Sequence, residues 1–98
     1  MSDTQNLCST RLKALADPTR LAVMRRLLEG GPGQVGELNQ ALELDQSLLS
    51  HHLKVLREAG LVESEREGKA VRYRLADGVA QQRRGAEGLD LGCCKLEF

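Results

Sequence analysis

The 98-residue chain lacks a net charge, because fourteen Lys and Arg residues cancel fourteen Asp and Glu. The whole molecule therefore has no long-range pull on a polyanion, and any attraction to nucleic acid must come from local charge. Long apolar runs are missing too. No stretch approaches the roughly 18 consecutive apolar residues of a membrane span, and no charged-then-apolar leader opens the chain, so a cytoplasmic protein with no membrane partner is expected. The three cysteines, Cys8, Cys93 and Cys94, make no even framework. An odd number in a short chain without an export signal argues against a disulfide scaffold and raises thiol chemistry or metal binding instead. No serine or cysteine is set beside a histidine and an orienting acid, so no enzyme is expected.

What is present begins with helices. The length allows a single domain, residues 1–98, with a modest core that a dimer would enlarge. Leu7, Leu12 and Leu15 space an amphipathic first helix. Asp17 can cap a second helix with its carboxylate while Pro18 takes the first helical position, where a missing N–H costs nothing. Leu21, Met24, Leu27 and Leu28 give that helix one apolar face, and the glycines from Gly30 onward stop it. Val35, Leu38 and Leu42 predict a short third helix. A fourth is expected from about Ser47 to Ala59, ended by Gly60.

The fourth helix separates into two faces. Leu49, His52, Leu53 and Leu56 point inward, while Ser47, Ser50, His51, Lys54 and Arg57 lie opposite. Such side chains can bond base edges and phosphates, although an ordinary solvated helix face would have the same composition. Two strands follow, Leu61–Ser64 and Val71–Leu75, around a Glu67-Gly68-Lys69 turn. Lys69 and Arg72 could grip phosphate there, or merely solubilise a small sheet. From Lys54 to Arg74 six basic residues stand against four acidic ones, a local excess of two. Helix then basic hairpin is the layout of a winged helix-turn-helix, which predicts a mainly α fold with a β-hairpin wing (α+β) and a homodimer on double-stranded DNA.

Leu15-Ala-Asp-Pro-Thr-Arg-Leu21, the run from Ser47 through His52 to Val62, and Gly68 with Tyr73 together resemble the ArsR/SmtB family of bacterial metalloregulators. The resemblance covers roughly residues 10–76. It implies a homodimeric repressor that occupies operator DNA, with no cofactor required for binding, until an inducer releases it. It also implies resistance or efflux genes as targets. Carried onto this chain, it turns Gln46, Ser47, Ser50, His51 and Lys54 toward DNA and sets Lys69 and Arg72 in the wing.

The same resemblance locates the inducer by elimination among the family's sensor sites. The positions of a Cys-x-Cys pair at the start of the DNA-binding helices hold Gln34 and Gly36. Both histidines of the chain lie on the fourth helix, so a zinc site of Asp and His on a C-terminal helix is absent. Three glycines between Ala76 and Gly88 further imply that the family's long final helix is short or missing. What remains is a cysteine-bearing tail, residues 88–98, similar to the Cys-Cys tails of arsenic-responsive relatives. Neighbouring thiols suit soft ions. Trivalent arsenic (arsenite) takes three thiolates, and Cys8 supplies the third if one subunit's first helix lies near the other subunit's tail. Tetrahedral zinc would need a fourth ligand.

Cys93 and Cys94 can meet on one ion only if the backbone turns, which Gly92 eases. Cys8 could alternatively pack beside Leu7 as a small hydrophobe, and the tail could be a strand lending Leu89, Leu91, Leu96 and Phe98 to the dimer. In the expected mechanism, arsenite ties tail to opposite helix and spoils the match to grooves about 34 to 36 Å apart. A thiol-redox or persulfide-responsive repressor is the second reading, and a protein-interaction module that binds no DNA is the third.

Overall fold

The computed structural model describes residues 3–83 and 86–98. Its first helix, α1 (Asp3–Leu15), is followed by α2 (Pro18–Gly30), the short strand β1 (Gly33–Gln34), α3 (Val35–Leu42) and α4 (Gln46–Glu58). The hairpin β2 (Val62–Glu67) and β3 (Ala70–Leu75) comes next, and β4 (Ala80–Arg83), β5 (Ala86–Asp90) and β6 (Lys95–Glu97) complete the order. The helix limits follow local chemistry. Asp17 accepts from the backbone N–H groups of Thr19 at 2.8 Å and Arg20 at 3.0 Å, satisfying two donors that the start of α2 leaves without partners. Asp45 does the same for α4, accepting from Ser47 and Leu48. Between α3 and α4 the turn is three residues long, with Glu43 in the left-handed region at φ 53.

The core sits where these helices meet. Val23, Met24 and Leu27 of α2 and Leu38 of α3 pack against Leu49, Leu53 and Leu56 of α4, with Leu61 and Val62 closing one side. The expected inward face of α4 is therefore the buried one, His52 included. His52 Nδ1 lies 3.2 Å from the Arg20 guanidinium, whose Nε donates to the Ala14 carbonyl at 2.6 Å. One side chain thus links the end of α1, the start of α2 and the inner face of α4.

Two sheets complete the fold. In the first, β1 pairs antiparallel with β3 and β3 with β2, so Gly33 lies opposite Tyr73 and Gln34 opposite Arg72. The β1 strand, too short to leave a periodic pattern, ties the wing to the entry of α3. The hairpin is longer than expected, running to Glu67 and resuming at Ala70, because the charged residues between the apolar anchors still pair as backbone.

The second sheet, β4-β5-β6, occupies the place where a C-terminal helix was in doubt. Two of the four apolar residues that a strand-forming tail could lend to a dimer are instead turned inward. Leu89 and Leu91 are fully buried in the chain's own core, and Leu96 packs against that core. Phe98 is 41% exposed, with Arg25 over its ring at 4.8 Å. No helix among the described residues is long and apolar enough to cross a membrane.

Candidate nucleic-acid interface and thiol cluster

The α4 side chains assigned to DNA all stand on one open face. Gln46, Ser47, Ser50, His51 and Lys54 are exposed, and Asp45 anchors the helix start that presents them. Gln46 and Lys69 line a single depression with Val35, Gly36 and Val71, so the structure brings the start of α4 and the wing tip together. Lys69 makes no ion pair among the described residues, and neither does the neighbouring exposed Arg66, which sequence reasoning did not select. Arg72 is placed differently. Its Nε lies 3.0 Å from a Glu67 carboxylate oxygen, and Arg74 is held by Glu63 at 2.8 Å. Two of the wing's cations are therefore partly neutralised by cross-strand and turn acids, which periodicity could not reveal because the pairing depends on register.

Between α1 and the tail the three cysteines meet. The sulfurs of Cys8, Cys93 and Cys94 all lie within 4.8 Å of one another. Cys8 and Cys93 are joined as a disulfide with their Cα atoms 6.0 Å apart, while Cys94 is free with its Sγ 3.9 Å from that of Cys93. The neighbouring cysteines converge because the backbone turns at Gly92, which has φ 89 and donates its N–H to Asp90 at 2.8 Å. The Leu91 N–H then donates to the Cys94 carbonyl at 2.9 Å.

Two expectations are corrected here. Cys8 reaches the tail of its own chain, so no second subunit is required to gather the sulfurs, and the odd cysteine count does not prevent one pair from bonding. The cause is the second sheet: burial of Leu89 and Leu91 carries the chain end back onto α1.

A three-residue turn between α3 and α4, an exposed polar face on α4 and a paired hairpin behind it define a winged helix-turn-helix protein. The family model for bacterial regulatory proteins of the arsR family matches residues 17–64. The chain is 50% identical over 66 residues to the "HTH-type transcriptional repressor SmtB" of Mycobacterium tuberculosis, covering 67% of this chain but 48% of that protein. It is 42% identical over 82 residues to the "Biofilm growth-associated repressor" of Xylella fastidiosa, covering 84% of this chain and 71% of the relative.

A solved homodimeric winged helix-turn-helix DNA-binding domain from Mycobacterium bovis, described as a possible ArsR-family regulator, superposes with a TM-score of 0.71. Its sequence identity is 31%, over 78% of this chain and 73% of that one. This chain belongs to the arsR family of bacterial regulatory proteins. It spans about half the length of the mycobacterial repressor it matches.

Proposed function

We propose that this chain is a homodimeric, DNA-binding transcriptional repressor released from its operator by trivalent arsenic held on the thiolates of Cys8, Cys93 and Cys94. The observation that carries the inducer assignment is the convergence of three sulfurs within 4.8 Å inside one chain. Three thiolates sharing one soft ion with bonds of about 2.3 Å stand roughly 3.5 Å apart, so once the Cys8–Cys93 bond is opened the sulfurs reach one ion by shifts on the order of an ångström. Binding requires the Cys8–Cys93 bond to be reduced first, since the thiolate is the ligand. Homodimer formation and operator binding are supported by the similar homodimeric DNA-binding domain and by relatives named as repressors. The exposed face of α4, Gln46 to Lys54, reads base edges, and Lys69 with Arg72 anchors the wing on phosphate. Genes for resistance or efflux are the targets.

The bond between Cys8 and Cys93 favours a second reading, redox control. There the two thiols lose two electrons and two protons to a low-molecular-weight disulfide, which leaves as two thiols, and the protein disulfide replaces arsenic as the signal.

Anisotropy of a fluorescent duplex taken from DNA beside the gene separates the readings. Arsenite added to the reduced protein releases the duplex at near-stoichiometric amounts and zinc does not; affinity falls by about 5- to 150-fold, the usual range for such coupling. Cys93→Ser and Cys94→Ser each abolish that response and keep DNA binding. Release by oxidation but not by arsenite makes the redox reading correct, and absence of DNA binding at every salt concentration makes the chain an interaction module.

A further inference from the structure

We infer that Arg11 is the positioning residue that transmits the state of the thiol cluster to the recognition helix α4, an inference that rests on the proposed thiol-controlled function. Arg11 stands one helical turn after Cys8 on α1, on the same side of the helix. Its Nη1 donates to the Leu91 carbonyl at 2.8 Å and its Nε to the Ala59 carbonyl at 3.2 Å. Leu91 belongs to the turn that sets the tail cysteines, and Cys93 Sγ lies 4.0 Å from the same Leu91 oxygen. Ala59 is the residue that caps the C-terminus of α4. A single guanidinium therefore joins the cysteine turn to the end of the helix whose outer face is assigned to DNA.

The local backbone is built around that guanidinium. After α4 the Gly60 N–H donates to the Arg57 carbonyl and the Leu61 N–H to the Leu56 carbonyl, each at 3.0 Å, with Gly60 at φ 77. This closing motif uses the earlier carbonyls and leaves that of Ala59 for Arg11. A Cβ at Gly60 would lie 3.2 Å from Nη2, and one at Gly92 would lie 3.6 Å from Nη1. Two glycines with positive φ thus flank the guanidinium, one on each side of the link. Only arginine holds two carbonyls at fixed spacing, because its donors lie in one rigid plane, whereas a lysine ammonium is a point charge on a flexible stem.

A low-molecular-weight dithiol or thiol pair reduces the Cys8–Cys93 bond and leaves as its disulfide. The three protein thiols then take up arsenite, their protons and its hydroxyls leaving as water, and the turn from Leu91 to Cys94 rearranges. The Leu91 carbonyl moves the guanidinium, and the guanidinium moves the end of α4. A side chain can couple two sites in this way only if it is held differently in the two states.

The test compares the wild-type full chain with Arg11→Ala and Arg11→Lys. It reads arsenic stoichiometry by native mass spectrometry, fold by circular dichroism, duplex affinity with and without arsenite, and the amide shift of Gly60. Both variants are expected to bind one arsenic per chain and to bind the duplex. Their affinity loss on arsenite should shrink from about 10-fold or more to within about 3-fold, with the Gly60 shift reduced in step. If Arg11→Ala does not fold, Arg11→Lys carries the comparison. A wild-type response in a folded variant overturns the role of Arg11. A wild-type chain that ignores arsenite refutes the arsenic reading instead, and the same comparison is then made between reduced and oxidised protein. Equal duplex affinity of those two forms overturns the relay as well.

Discussion

Asp17 shows how much one side chain settles. Its carboxylate is drawn below the usual 3.8 by the Arg20 N–H bond, against partial burial that pushes it up, with the Arg20 charge adding to the downward pull. The folded state therefore holds this proton less tightly than the unfolded one. The stability it contributes is complete above the unfolded value and is lost as pH falls below 3.8 and through the lower folded value. Asn caps nearly as well as Asp but does not titrate. Asp17→Asn should cost less than about 1 kcal/mol near neutral pH and should flatten the acid limb of stability. Urea unfolding followed from neutral pH into the acid range reads both, and a variant that declines as steeply as wild type below pH 3.8 would show that another group controls the acid limb.

At the scale of elements, the tail sheet is the part that builds the thiol cluster, and Gly88 is its tightest point. A Cβ there would strike the Leu96 carbonyl oxygen across the β5–β6 pair, where Gly88 lies opposite Glu97. Backbone cannot swing aside as a side chain can. Gly88→Ala should therefore cost about 1 to 3 kcal/mol and pull β6 away from β5, scattering the sulfurs. A lower Tm together with loss of arsenite binding is the expected pair of results; intact binding would mean that the turn at Gly92 gathers the cysteines without β6.

The helices were legible from spacing because α2 and α4 each carry a capping Asp and an apolar face at helical period. The wing was legible in existence but not in its internal ion pairs. Strand character in the tail was legible around Leu89 and Leu96, but neither β1 nor the pairing of β4, β5 and β6 was, since two-residue strands have no period and glycine-rich segments name no partner.

At the scale of the molecule, two of the four exposed large apolar residues among the described ones lie on α1, the others being Leu48 on α4 and Phe98 after β6. Leu7 is 46% and Leu12 is 42% exposed, and Leu12 borders a shallow groove with Cys8, Ser9, Lys13 and Ala16. In the proposed homodimer this face meets its copy. Leu12→Glu should shift sedimentation from dimer toward monomer and weaken operator binding by about 100-fold, because a monomer engages one half-site and loses the effective concentration of the second. Unchanged sedimentation would place the interface on another face. Since α1 also carries Cys8 and Arg11, a change at the thiols acts on the same helix that the dimer would use.

Local patterning was enough to specify the helix-turn-helix: caps, apolar period and turn glycines act over a few residues, and the polar face of α4 follows from the burial of the opposite one. It was also enough to single out the three cysteines as the residues with chemistry to offer. Whether those cysteines meet, and within one chain, was decided by contacts some 85 residues apart in sequence. Burial of Leu89 and Leu91 brings the tail to α1, and that docking sets Cys93 beside Cys8 and Leu91 beside Arg11. Such contacts come from packing of the whole chain, which no periodicity within a short window encodes.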